Sequence, residues 1–373
     1  MTKLPSITDA EKAFFIDQTA QLRNLLMLYN AAIREVTTKL EILNEELLKF
    51  IGPDGDFTIA ASRASRTYVN IGSIGIMREG KSEFIAQTTQ LDKWILPRKK
   101  GEHACTTASI NVINGSSSDG KTEIARVYYY TVQEIVTLFA DYLEEFGLER
   151  GLIDNKIISR NDLVQWCESN AKGMEKLITA NKSKLKQKFL EYIKHINQYV
   201  NRLVELVKDK DDNLTIADNS VLYEDYLISD IIKGEDKGKK YYSSVSYYET
   251  PDSKTEVFTS FATSKAEVYT NFKVDGTEVN NIQFLDTPGI GEKKVGVDRI
   301  LSDAVSMNLD IIIAIRALNG TAKEDQEQSF INILRSKVEG KKTAKDWIYY
   351  LLNIWGGQDY ADSEKCIGDI EHH

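Results

Sequence analysis

The run "GIMREGKS", residues 75–82, matches the pattern G-x-x-x-x-G-K-[ST] at every defined position. With glycine at about 7% of ordinary composition, a chance match in a chain of this length is roughly a one-in-a-hundred event. Its neighbours agree: "TYVNIGSIG" (67–75) before it reads as a strand, and "KSEFIAQTTQL" (81–91) after it as the start of a helix. The glycines let backbone N–H groups turn inward around phosphate oxygens, and the helix N-terminus adds its partial positive charge. In such a loop Lys81 spans the β- and γ-phosphates and Ser82 ligates Mg²⁺. The nucleotide-binding residues expected along this stretch are Gly75, Arg78, Glu79, Gly80, Lys81, Ser82 and Glu83. The plain alternative is a glycine turn that happens to carry a lysine and a serine.

A second motif bears on that choice. "NIQFLDTPGIGE" places Asp286-Thr287-Pro288-Gly289 directly after an apolar strand. A carboxylate at the C-terminal end of a strand stands where open α/β sheets bind ligands, and Asp286 there can hold the Mg²⁺ shell. The amide of Gly289 can then reach a γ-phosphate and sense its presence. Between the two motifs, "ILPRKKGEHACTTASINVI" (95–113) is a polar, basic loop leading into a strand. A threonine here can close over a nucleotide and complete the metal shell, with Thr106 the first choice and Thr107 the second. Ordinary loop threonines are the alternative, and His103 reads as a surface histidine.

The rest of the chain reads as strands alternating with helices. "TEIARVYYYT" (122–131), "LDIIIAIRAL" (309–318) and "DWIYYLLNIW" (346–355) are strand-like, the last two as buried parallel strands with the helix "KEDQEQSFINILRSKV" between them. "VQEIVTLFADYLEEF" (132–146) is a helix, and 161–208 holds one or two more, with Leu177, Leu185, Phe189, Ile193, Ile196, Val200, Leu203 and Val207 along one stripe. "DKDDN" (209–213) and "KGEDKGKKYY" (233–242) read as polar breaks. Asp275-Gly276 between two alternating runs signals a hairpin. Residues 8–50 carry helical apolar spacing, with Thr8 and Glu11 as a capping box and "IGPDGD" (51–56) as a stop. The expected fold class is α/β, a doubly wound P-loop NTPase (G-domain) sheet with an N-terminal helix and a large helical insertion. The expected boundaries are an N-terminal amphipathic helix in 1–56, a first part of the sheet domain in 57–131, a helical insertion in 132–255 and a second part in 256–373.

Bulk properties exclude several other classes. The 373 residues are 42% apolar and 28% charged, an ordinary globular composition, and the formal net charge of −9 gives no basic field to attract nucleic acid. Three cysteines, Cys105, Cys167 and Cys366, lack CxxC spacing, which excludes a zinc cluster or disulfide framework and fits a reducing, cytoplasmic setting. No apolar run of transmembrane length and no signal-peptide core occurs.

Taken in order, the P-loop, a switch threonine and DTPG resemble a GTPase, and in detail the dynamin superfamily. Large bacterial dynamin-like proteins have similar G-x-M-x-x-GKS loops, an LP…T switch, DTPG, and a helix ahead of the G domain comparable to residues 8–50. Guanylate-binding proteins and atlastins are similar at one further position: an arginine two places before the second loop glycine, as Arg78 stands here. In those families it is an internal arginine finger that swings onto the phosphates when two G domains meet. The resemblance thus implies catalytic roles for Lys81, Arg78 and Thr106, metal ligation by Ser82, Thr106 and Asp286, and nucleotide contacts from Gly289 and Asn353. It implies Mg²⁺ as cofactor, GTP as substrate, and a homodimer through the nucleotide face. It covers residues 60–135 and 260–356.

Two departures qualify it. The base-reading element should be N/T-K-x-D, or R-D in the atlastin group. "YLLNIWGGQD" offers Asn353, but Ile354 stands in place of the lysine and Gly356 in place of the aspartate, with Asp359 available only by a shifted loop. ATP therefore stays open beside GTP. About 200 residues separate Ser82 from Asp286, more than a compact G domain needs, and the chain stops soon after the base-reading strand, the pattern of a piece of a longer protein. No glutamine follows DTPG, where Ile290 and Gly291 stand, so a nucleotide-gated scaffold with little turnover is the alternative from another class.

Overall fold

Runs rich in β-branched and aromatic residues form the sheet that organises the molecule. The computed structural model describes residues 68–75, 79–92, 94–97, 108–153, 157–179, 184–210, 213–246, 248–249, 256–274, 277–278, 281–289, 309–317 and 348–353. The expected helices over 8–50 and 323–338 lie outside the described residues. In chain order the strands are β1 (Val69–Ile74), β2 (Ser109–Asn114), β3 (Ile124–Tyr129), β4 (Leu206–Lys208), β5 (Leu214–Ile216), β6 (Tyr223–Leu227), β7 (Tyr248–Glu249), β8 (Glu256–Val257), β9 (Thr263–Thr270), β10 (Lys273–Val274), β11 (Thr277–Glu278), β12 (Ile282–Asp286), β13 (Ile311–Ala317) and β14 (Ile348–Asn353). The helices are α1 (Lys81–Thr89), α2 (Val132–Glu145), α3 (Arg160–Thr179), α4 (Lys184–Lys194), α5 (Ile196–Tyr199), α6 (Ile228–Lys233) and α7 (Asp236–Val245).

Eight strands make one mixed sheet in the order β14-β13-β1-β12-β2-β9-β3-β6. β14, β13 and β1 run parallel, as do β2 and β9. β12 is antiparallel to β2, and β3 is antiparallel to both β9 and β6. This is the α/β class expected, with antiparallel pairings added. Because β1, β13 and β14 are parallel, their C-terminal ends share one edge of the sheet, the edge where α/β proteins place ligands.

Helix α2 shows why sequence becomes structure locally. Thr131 and Glu134 form a capping box: the Thr131 hydroxyl accepts from the Glu134 N–H at 3.1 Å, and the Glu134 carboxylate accepts from the Thr131 N–H at 2.7 Å. The face it buries, Val132, Ile135, Val136, Phe139 and Leu143, follows helical spacing. Phe139 meets Phe189 of α4 edge-on at 5.2 Å, and Tyr192 stacks on Phe261 at 3.8 Å. Each such fully buried large side chain contributes about 1.5–3 kcal/mol.

Five expectations change. The polar stretch 233–242 is a break only at its start: α6 ends on Gly234, which holds φ 69°, and α7 starts two residues later and runs through the rest. Its Gly238, Tyr241 and Val245 are buried at helical spacing beneath charged neighbours, so local charge hid an amphipathic helix. The stripe beginning at 161 does bury Phe189, Ile193, Ile196, Val200 and Leu203, but the helices end before Leu203 and Val207 lies exposed in β4. β13 and β14 are parallel, yet among the described strands β14 is at the edge, with Tyr349 and Tyr350 exposed. The segment 132–255 is not helical throughout, since β6 joins the main sheet beside β3. Around the expected hairpin at 275–276, whose two residues lie outside the described ones, only the short β10 and β11 pair antiparallel; the longer β9 and β12 lie on either side of β2.

Candidate functional site

Both loop glycines have structural reasons. Gly75 follows β1 so closely against β13 that a Cβ would run into the backbone carbonyl oxygen of Ile315. Gly80 holds φ 99° as the N-cap of α1, a left-handed conformation that costs an L-residue about 1–2 kcal/mol. Gly80, as the N-cap, has no side chain of its own to cap that helix start. The first-turn amides of α1, with Lys81 buried beside them, thus form a cradle suited to an anion. Glu79 is buried, its carboxylate 3.1 Å from where a Gly75 Cβ would sit. Glu83 is exposed and accepts from the Gln87 side-chain amide at 2.6 Å.

The DTPG turn reaches this cradle from the neighbouring strand. Asp286, at the end of β12, is fully buried and accepts the Ser82 hydroxyl at 2.6 Å across 204 residues of sequence. Thr287 donates its hydroxyl to the Ser73 carbonyl at 2.7 Å, while Ser73 donates to the Leu285 carbonyl at 3.4 Å. These paired bonds tie the ends of β1 and β12 together and fix where Asp286 stands. Neither Ser73 nor Thr287 was singled out from the sequence, although the hydroxyl inside D-T-P-G was the available signal. Pro288 and Gly289 follow, both buried.

A hydroxyl and a carboxylate are hard oxygen donors of the kind Mg²⁺ takes when it is held by one or two protein groups and by substrate phosphates. Among the described residues no cluster of three His, Cys, Asp or Glu offers a metal a complete protein shell. The Ser82 hydroxyl and Asp286 carboxylate are a donor pair of this hard-oxygen kind, and their chemistry fits a magnesium ion.

Asn353 ends β14 opposite Ala317 of β13, at the same sheet edge as Gly75. Arg78, Thr106 and Thr107, with His103 and Asp359, lie outside the described residues. So Gly75, Glu79, Gly80, Lys81 and Ser82 lie along one loop and helix start that Asp286 meets through Ser82, with Gly289 three positions beyond Asp286 and Asn353 two strands away from β1. Among the described residues no helix is long and apolar enough to cross a membrane.

No protein-family model matches the chain, and no curated protein matches it. Among solved structures it is similar to a chain from an oligomerised bacterial dynamin pair, a pair reported to provide a mechanism for long-range sensing and tethering of membranes. The identity is 13% and the TM-score 0.32, over 95% of this chain and 47% of that one. The chain thus spans about half the length of the structure it matches.

Proposed function

We propose that the chain is a Mg²⁺-dependent nucleoside triphosphate-binding and -hydrolysing switch, a GTPase of dynamin-like type that G-domain dimerisation activates. The observation that carries this reading is the 2.6 Å hydrogen bond from Ser82, at the start of α1, to Asp286, at the end of β12. It joins the two motifs at one point of the sheet edge, as a metal-bound triphosphate requires. In this reading the α1 amides and Lys81 bind the β- and γ-phosphates and offset the charge that develops on them during hydrolysis. Ser82 and Asp286 hold Mg²⁺, which when bound neutralises phosphate charge. Gly289 offers its amide toward the γ-phosphate. Arg78 supplies an arginine finger when two nucleotide faces meet, a role that can be worth ~10³–10⁵ in rate, and Thr106 closes over the metal.

One sequence feature favours a second reading on the same fold. With Ile354 and Gly356 where a guanine-reading motif has lysine and aspartate, an ATPase fits the end of β14 as well as a GTPase. Titration of fluorescent GTP and ATP analogues, with and without Mg²⁺, separates the two. Lys81→Ala should abolish binding of whichever analogue is held. Phosphate release per molecule that climbs with protein concentration supports dimer activation, and negligible release at all concentrations supports the scaffold instead. Failure of the unaltered chain to bind either analogue would remove the proposal altogether.

A further inference from the structure

Beyond α1, the chain is gripped by α7, which follows β6 and precedes β9 in sequence. After α1 it turns at Asp92: the Asp92 carboxylate accepts from the Trp94 N–H at 2.8 Å, and its carbonyl accepts from the N–H groups of Ile95 and Leu96 at 3.0 and 3.2 Å. Ile95 and Leu96 are buried. From the other side Tyr241 of α7, wholly buried, donates its hydroxyl to the Ile95 carbonyl at 2.8 Å. Trp94 stands edge-on to Tyr242 at 5.4 Å and lies 3.4 Å from where a Cβ on Gly234 would be. The Tyr241 phenol also feels the catalytic edge of the sheet. Burial, and after it the negative charge of Asp286, raises its pKa well above the usual tyrosine value. A single buried hydroxyl thus touches the turn that follows α1 while lying in the field of the carboxylate that faces α1.

We infer that Tyr241 is a positioning residue for the nucleotide site: by holding the Ile95 carbonyl it fixes the C-terminal exit of α1 against α7, and so keeps Ser82 in register with Asp286. The inference rests on the nucleotide reading above and gives α7 a task within it. α1 has only nine residues, so its two ends are about 13 Å apart and a shift at one is felt at the other. Tyr241 touches neither phosphate nor metal in this account; it acts through α1 alone.

Tyr241→Phe keeps the ring and removes only the donor. The readouts are nucleotide affinity without Mg²⁺ and the Mg²⁺ concentration that half-saturates phosphate release. The expected result is unchanged Mg²⁺-free affinity and a half-saturating Mg²⁺ concentration raised about five- to tenfold, the scale of one lost hydrogen bond. Trp94→Ala, which loosens the same turn from α6 and α7 by another contact, should move the same quantity in the same direction, and it decides the matter alone if Tyr241→Phe does not fold. If the unaltered chain binds nucleotide and releases phosphate, yet the folded variants keep its Mg²⁺ dependence, this inference falls while the proposed function stands. If the unaltered chain binds no nucleotide, both fall.

Discussion

Thr287 turns its hydroxyl onto the Ser73 carbonyl, so within D-T-P-G the threonine anchors the turn beside the Asp286 carboxylate. Replacing it by the isosteric valine strands a buried carbonyl, and Thr287→Val should lower stability by about 1–3 kcal/mol. Urea unfolding reads that loss, and an unshifted midpoint with an unchanged slope would contradict it. Gly75→Ala meets a backbone oxygen of β13, which cannot swing aside as a side chain can. It should cost about 1–3 kcal/mol by overpacking, measurable as a lowered Tm even without nucleotide. That the motif residues would converge was legible, because G-x-x-x-x-G-K-S and D-T-P-G each imply a place at a strand's end. Why position 75 must be glycine was not legible. The obstacle is the Ile315 carbonyl, 240 positions away, and nothing local announces it.

At the level of elements, sequence periodicity located the described strands of the main sheet other than β6, and helices α2, α3 and α4, and failed where charge density masked a short helix. α7 carries Asp236, Lys237, Lys239 and Lys240 on its outer side, which reads as loop, while Gly238, Tyr241 and Val245 face inward. Gly238 lets α7 approach α6: a Cβ there would lie 2.8 Å from the Ile231 carbonyl oxygen. Gly238→Ala gains up to about 1 kcal/mol in helix propensity but overpacks at about 1–3 kcal/mol, so a net fall in Tm is expected. The outermost strands are pinned by charge. Arg126 of β3 is buried and donates to Asp225 of β6 at 2.7 Å and to Asp119 at 3.0 Å. The Arg126 guanidinium, foremost, and Lys121 hold the Asp225 carboxyl below the usual carboxylate range. A carboxyl depressed on folding adds stability above its unfolded value, near 3.9, and that contribution fades as pH falls through the lower folded value. Asp225→Asn should therefore unfold more easily at pH 7, by about 3 kcal/mol, with the gap to the parent narrowing below about pH 4. A gap independent of pH, measured by denaturant titration, would rule out the ion pair as its source.

For the whole molecule, strand order was beyond reach of the sequence because the pairings that set it join distant segments. β1 neighbours β12 and β13, and β6 closes the far edge beside β3, which ends at Tyr129 while β6 begins only at Tyr223. Alternating strands and helices indicated an α/β sheet but carried no information about which strand lies beside which. What that order does is bring the ends of β1 and β12 side by side, and with them Ser82 and Asp286. The most direct test of the account is therefore a double-mutant cycle on that pair. The affinity of the chain for a non-hydrolysable triphosphate analogue is measured with and without Mg²⁺ in the parent, Ser82→Ala, Asp286→Asn and the combined variant. The account predicts that Mg²⁺ tightens binding in the parent, that either single change removes this increment, and that combining them removes nothing more. An increment that survives in Asp286→Asn, or two losses that simply add, would contradict it.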